Sequence, residues 1–252
     1  MSALSAKAAH SLADFAELLE QLEAEGFEFA VIGGLAVGAY AQLMGEEMLS
    51  VDLDLYMSHE TLVELLQWAP GKGIQVVKRP KPRNIPVAFF EHNGKEINAL
   101  TASAGLSDPR VISRTARCFR LPTHADLEVP IADPFELLSN KLAVRRDKDL
   151  PHIEVLQRFV EEEACYAFVE ERRPRARLAP AKRLLEVMNR KVLPRLLADR
   201  LVDLASTEVD YRFLMSRVPN EEQAERILKR IEQREKELSR QLEAILATRT
   251  FG

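Results

Sequence analysis

The sequence predicts an α/β (α+β) fold: a mixed sheet with helices packed on it, followed by a helical C-terminal region. Three observations carry this. Apolar runs with strand and helix spacing alternate in the order helix, strand, helix, strand, helix, and then continue as strands alone. Pro80, Pro82, Pro86 and an Asn93-Gly94 turn punctuate that run of strands. From Asp133 onward the pattern is helical and is partitioned by Pro151, Pro174, Pro180, Pro194 and Pro219.

Taken in order, residues 9–25 place Leu12, Phe15, Leu18, Leu19 and Leu22 on one helical face, with Gly26 as a stop. Residues 28–32 read as a strand. Residues 34–44 read as a helix that is small and apolar on one side, at Leu35, Ala36, Ala39 and Leu43. Residues 50–56 are a second strand, and Ser58 suits the N-cap of a helix over 59–69. Short strands are expected at 74–77, 87–91, 96–101, 118–121 and 127–131, with Asn93-Gly94 as a hairpin turn. Asp133-Pro134 opens a helix with proline at its first position, followed by Leu137, Leu138, Lys141, Leu142 and Arg145. The expected organisation is an α/β core over 1–130 and a helical region over 131–252, of which 131–160 completes the functional site. A further soft boundary falls near 170–180.

The chain has 252 residues, 46% of them hydrophobic, and a net charge of −4 from 35 basic and 39 acidic side chains. No global basic field marks it as a nucleic-acid binder. Cys118 and Cys165 stand apart from any second Cys or His at metal-binding spacing, which suits ordinary thiols in a reducing cytosol. Residues 1–7 lack the basic and apolar regions of a secretory leader, and no apolar run is long enough to span a bilayer. The expectation is a soluble, cytoplasmic protein with no membrane partner.

The chemistry concentrates in two stretches. Phe29-Ala30-Val31-Ile32 ends in Gly33-Gly34, and Leu49-Ser50-Val51-Asp52-Leu53-Asp54-Leu55 carries two aspartates spaced i, i+2. On a strand, Asp52 and Asp54 point to the same face. Adjacent carboxylates repel unless a cation sits between them, and an oxygen-rich site of this kind suits Mg²⁺. Gly33 and Gly34 let the backbone approach a ligand at the start of the next helix, where phosphate binds well. Metal and phosphate sites on adjacent elements imply a nucleoside triphosphate.

Gly-Gly, a short helix and Ser50-Val51-Asp52-Leu53-Asp54 resemble the signature of the DNA polymerase β-like nucleotidyltransferase superfamily, closest in flavour to the AbiEii/MenT-type toxin nucleotidyltransferases. The resemblance covers residues 28 to about 155. It implies a nucleotidyltransferase fold and Mg²⁺-dependent transfer of a nucleotidyl group from an NTP to an acceptor hydroxyl on RNA, tRNA or protein. It also implies a two-metal site held by Asp52 and Asp54, a triphosphate cradled by Gly33 and Gly34, a phosphate contact from Ser50, and an antitoxin as partner.

The third carboxylate of that family departs from pattern here. Gly94-Lys95-Glu96-Ile97-Asn98-Ala99-Leu100 aligns with the family's Gly-x-x-Ile-Asp-x-Leu strand, so Asn98 stands where Asp is expected. Glu96 lies two residues earlier on the same face. Either Glu96 serves as catalytic metal ligand beside Asn98, or the site is weakened, or the protein is a catalytically silent nucleotide- or RNA-binding module. A second block, from Leu138 to Asp149, resembles the family's Lys-x-x-Ala-x-x-x-Arg-x-x-x-Asp helix. It implies that Lys141 and Arg145, i and i+4 on one face, reach the β- and γ-phosphates. The family often ends this block with a further acid, and here that position is His152.

Two later features suggest partners. From Arg172 to Arg200 ten Lys/Arg face only two acids, Glu186 and Asp199. Such a segment either binds an RNA or tRNA backbone or packs its basic face near Glu161-Glu162-Glu163 and Glu170-Glu171. Residues 220–247 read as one long helix with Ala224, Leu228, Ile231, Leu238, Leu242 and Ile245 in a stripe. That stripe suits either a homodimer seam or packing on the chain's own core.

Overall fold

The computed structural model describes residues 8–80, 87–121, 123–171, 173–190 and 193–207, with scattered positions between 222 and 242. The chain divides into two units, Met1–Phe159 and Val160–Gly252. The first unit thus includes residues 131–159.

In the first unit, a 3-10 turn at Leu12–Phe15 leads into helix α1, Ala16–Ala24, which buries the predicted Leu18, Leu19 and Leu22. Gly26 stops it with φ of +77°. Strand β1, Phe29–Ile32, is buried along its whole length, as a central strand should be. It runs directly into helix α2, Gly33–Leu43. Strand β2, Asp52–Met57, carries the two aspartates. Ser58 then accepts a hydrogen bond from the Thr61 amide at 3.1 Å and caps helix α3, His59–Trp68, as its position predicts.

Strands β3 (Gln75–Lys78), β4 (Val87–His92) and β5 (Lys95–Leu100) follow. Asn93 and Gly94, both with positive φ, form the tight turn between β4 and β5. Helix α4, Pro109–Thr115, precedes β6 (Arg117–Leu121) and β7 (His124–Ile131). Helix α5 spans Pro134–Val144, and α6 spans Leu150–Glu170. Helix α4 is not among the elements expected from the sequence, although Asp108-Pro109 has the same capping signature as Asp133-Pro134. The Asp108 side chain accepts from the Arg110 amide at 2.9 Å, just as Asp133 accepts from Phe135 at 3.0 Å.

The strands form one seven-stranded mixed sheet in the order β3-β4-β5-β2-β1-β7-β6. β1 is antiparallel to β2 and parallel to β7, and β2 is parallel to β5. This confirms the predicted mixed sheet with flanking helices. Its core is apolar and fully buried at Leu53, Leu55, Ile97, Ala99 and Val31, and α2 covers it with Leu35, Ala36, Val37 and Tyr40. The Tyr40 hydroxyl satisfies itself on the Ala132 carbonyl at 2.9 Å.

The loop between β5 and α4 is fastened to α5. Asn140 donates to the Ser103 hydroxyl and the Ala104 carbonyl, and Glu136 accepts from the amide and hydroxyl of Ser107. Gly105, at φ +76°, permits this close approach, because a Cβ there would stand 2.6 Å from the Ser139 carbonyl oxygen. The latch fixes α5, and with it Lys141, relative to β5.

The second unit continues α6 and adds α7 (Pro174–Arg177), α8 (Ala179–Val187) and α9 (Arg195–Thr207). Much of the predicted basic segment is spent on the unit itself. Arg177 is buried, donates from Nε to the Phe168 carbonyl and sits over the Phe168 ring. Arg173 pairs with Glu171 and Arg200 with Glu162, so the alternative of packing near the acidic stretches holds for these residues. In the expected 220–247 helix, Glu222 and Arg226 are helical and paired, and Leu242 is buried. Ala224, Leu228, Ile231, Leu238 and Ile245 lie outside the described residues. No helix among the described residues is long and apolar enough to cross a membrane.

Candidate active site

The site begins at the junction of three strand ends. Asp52 and Asp54 alternate with the buried Leu53 and Leu55, so both carboxylates leave the sheet on one face, half-buried. The parallel register of β2 and β5 sets Asp52 opposite Glu96 and Asp54 opposite Asn98. The antiparallel register of β1 sets Ile32 opposite Asp54. The next residue, Gly33, is where the chain leaves the strand, and it comes directly against that carboxylate.

Glycine is required there on two counts. Gly33 has φ of +74°, and a Cβ on it would stand 1.9 Å from Asp54 Oδ2. A Cβ on Gly34 would stand 2.6 Å from the Ser50 hydroxyl. The first turn of α2 is thus pressed against Asp54 and Ser50, with its free amides beside them. Ser50 lies outside β2, in an antiparallel bridge to His10, and its hydroxyl donates to Asp52 Oδ1 at 3.1 Å.

Asn98 joins the carboxylates. Its Nδ2 donates to Asp52 Oδ2 at 2.8 Å and to Asp54 Oδ1 at 2.9 Å, which uses both amide hydrogens. The positive end of an amide dipole therefore stands between the acids. Even so, burial and then the Asp52 charge push the Asp54 carboxyl up to about 6, against the opposing pull of Asn98, Lys141 and Arg146. A divalent cation fits this donor set. Two oxygen ligands already converge, the amide marks a position that favours positive charge, and rotating the Asn98 amide presents its Oδ1 as a third oxygen. Among the described residues no three His, Cys, Asp or Glu side chains gather at one point that could hold a metal ion.

Positive charge arrives from the end of α5. Lys141 is buried at 3% exposure, with Nζ 3.3 Å from Asp149 Oδ1. Arg146 donates to the same carboxylate from Nε at 2.7 Å and from Nη2 at 3.1 Å. Burial works against the Asp149 charge, but Arg146 and then Lys141 hold its carboxyl well below the usual range. The charges of both cations reach Asp54.

The expected pairing of Lys141 with Arg145 is not what the chain does. Helix α5 ends at Val144, and Arg145 caps it in the left-handed conformation, at φ of +41°, and is exposed. It is Arg146, the next residue, whose guanidinium hydrogen-bonds Asp149 and whose charge acts on Asp54. Sequence reasoning missed Arg146 and Asp149 as a working pair. The available signal was the density of charge in Arg145-Arg146-Asp147-Lys148-Asp149, where a helix surface would have spaced it. His152, on the first turn of α6, lies against Gly34, its Cε1 3.7 Å from where a Cβ would be.

No family model and no curated protein matches the chain. Among solved structures it is similar to the antibiotic-resistance factor ANT(2'')-Ia in complex with adenylyl-2''-tobramycin, at 13% identity and a TM-score of 0.44, covering 60% of this chain and 90% of that one. The solution structure of ANT(2'')-Ia gives 15% identity and a TM-score of 0.40 over 58% of this chain and 80% of that one. A protein from Thermotoga maritima to which nucleotidyltransferase activity is attributed gives 15% and 0.39, covering 60% and 92%. These are distant likenesses and place the chain in no family.

Proposed function

We propose that the protein binds a nucleoside triphosphate with Mg²⁺ and transfers its nucleotidyl group to an acceptor hydroxyl. The observation that supports this most is the packing of Gly33, at the N-terminus of α2, onto Asp54 of a two-carboxylate face, with Lys141 and Arg146 beside it. One small volume thus holds anionic oxygens for a cation, free amides for phosphate, and fixed positive charge for the remaining phosphate oxygens.

In this reading Asp52, Asp54 and Asn98 hold the metal. A bound divalent cation would neutralise phosphate oxygens and draw the attacking and leaving oxygens into line. The amides of Gly33 and Gly34 orient the phosphates. Lys141 and Arg146 take up charge on the departing pyrophosphate, and Asp149 keeps both cations in place. The Asp54 carboxyl, at about 6, is ionised at neutral pH and is stabilised further by the cation it binds.

The test is calorimetric. In the double variant Asp52→Asn with Asp54→Asn, ATP binding should lose its dependence on Mg²⁺ while the thermal melt remains cooperative. Unchanged Mg²⁺-dependent affinity would remove the assignment.

A second reading, a nucleotide-binding module without turnover, is favoured by Asn98, which brings an amide where a third carboxylate would take the acceptor's proton. The two readings separate on pyrophosphate release. If Glu96 supplies the third carboxylate, Glu96→Gln stops release and Asn98→Asp changes little. If the position lacks a base, Asn98→Asp raises release and Glu96→Gln is silent.

A further inference from the structure

His152 lies between the two halves of the site. On one side its Cε1 faces Gly34 at the start of α2. On the other its Nδ1 is 3.7 Å from Asp149 Oδ1, beyond hydrogen-bonding distance. Nδ1 is buried and has no hydrogen-bond partner among the described residues. A buried polar atom left without a partner is an exception that calls for an explanation. Here the ring lies against the turn whose free amides suit an anion. The charged groups that act on it are Lys141 on α5, and Arg146, Lys148 and Asp149 on the segment that leads into α6. Burial, and then Lys141, hold its pKa below the ordinary histidine value, so the ring of the free protein is neutral at pH 7 and carries a single N–H. An anion at the turn offsets those cations and reverses the balance.

We propose that His152 is a phosphate-binding residue, its ring bridging Asp149 to an oxygen of a polyphosphate held at the Gly33–Gly34 turn. This rests on the reading of the site as a triphosphate site. The second ring proton comes from solvent when the anion binds. Nδ1–H then donates to Asp149, and Nε2–H donates to the ligand. A carboxylate at this position would repel the same ligand.

The experiment uses the full chain and inorganic tripolyphosphate without metal, at pH 7. The side-chain nitrogens of the histidines are followed by NMR, with His152 identified by its absence from His152→Ala. Proton exchange is read by calorimetry in two buffers of different ionisation enthalpy. Both His152 nitrogens are expected to move to the imidazolium range on binding, with net proton uptake. In His152→Ala tripolyphosphate should bind about tenfold more weakly or worse, as for loss of one hydrogen bond to a charged group. Uptake that persists in the variant belongs to the carboxylates. If tripolyphosphate binds the wild type while the His152 nitrogens stay fixed and His152→Ala binds equally well, His152 has no role in binding, and the triphosphate site stands without it. If the wild type binds neither tripolyphosphate nor ATP with Mg²⁺, the triphosphate reading fails and this proposal fails with it.

Discussion

Asp54 on β2 and Asp149 before α6 are both carboxylates withdrawn from water, and both feel Lys141 and Arg146. Burial and the neighbouring Asp52 dominate at Asp54, so its carboxyl rises to about 6. Burial also raises the Asp149 carboxyl, but the hydrogen bonds and charges of Arg146 and Lys141 together outweigh it, so the carboxyl falls well below the usual range. The difference lies in the immediate partner. An aspartate beside another acid and an amide is short of positive charge, which is what makes it the proposed place for a cation. An aspartate between two fixed cations is already paired, and it serves to aim them. In the proposed reading the strand end receives a ligand, while the segment after α5 holds its own charges in place.

The largest expected effect breaks the second half of this contrast. Asp149→Ala leaves Lys141 buried without its partner, and a broken buried pair costs about 3–5 kcal/mol. Urea denaturation at pH 7 reads it directly. A loss under about 1 kcal/mol would mean that Lys141 finds water or another acid, and the two aspartates would no longer differ in kind.

The next prediction concerns Asp54 and has the opposite sign. Because the folded carboxyl holds its proton more tightly than the unfolded one, ionising it costs stability as pH rises from the ordinary value near 3.8 to about 6. Asp54→Asn keeps an oxygen to accept from Asn98 and lacks that cost. Above pH 6 in metal-free buffer it should be more stable than the wild type by on the order of 2–3 kcal/mol, and near pH 4 the two should converge. A difference independent of pH would show that Asp54 is not held against its charge.

The smallest effect sharpens the assignment of cations. Arg146→Ala should weaken tripolyphosphate binding by about 1 kcal/mol, discounted for the partial exposure of its guanidinium. Arg145→Ala should stay within about 0.5 kcal/mol of the wild type. Equal losses would return Arg145 to the site and place the end of α5 differently.

Much of the sheet was legible because strand signals are local. The alternation Asp52-Leu53-Asp54-Leu55 by itself puts both acids on one face, and Asn93-Gly94 by itself makes a hairpin. The Ser58 cap and the Asp133-Pro134 helix start were also readable, since each depends on residues within one turn. Asp108-Pro109 carries the same signal, but the helix it opens is only seven residues long and gives little periodicity to support it. The segment from Arg172 to Arg200 shows the opposite case. Its charge is plain in the sequence, but the partners of Arg200 and Arg177 become visible only once the helices are placed.

The sequence by itself determined the chemistry on offer: paired acids on a strand, glycines before a helix, and a cluster of cations after one. These follow from periodicity and backbone freedom, which act within a few residues. Only the tertiary structure decided which atoms meet. The register of β2 against β5 put the Asn98 amide between Asp52 and Asp54. The register of β1 against β2 put Gly33 on Asp54. Helix α5 ended at a left-handed Arg145, and Arg146 beyond it met Asp149. The start of α6 carried His152 to Gly34. Each of these contacts joins segments far apart in the chain or turns on a single backbone reversal, and no local pattern encodes either, because the energies that select them come from packing the whole sheet and its helices at once.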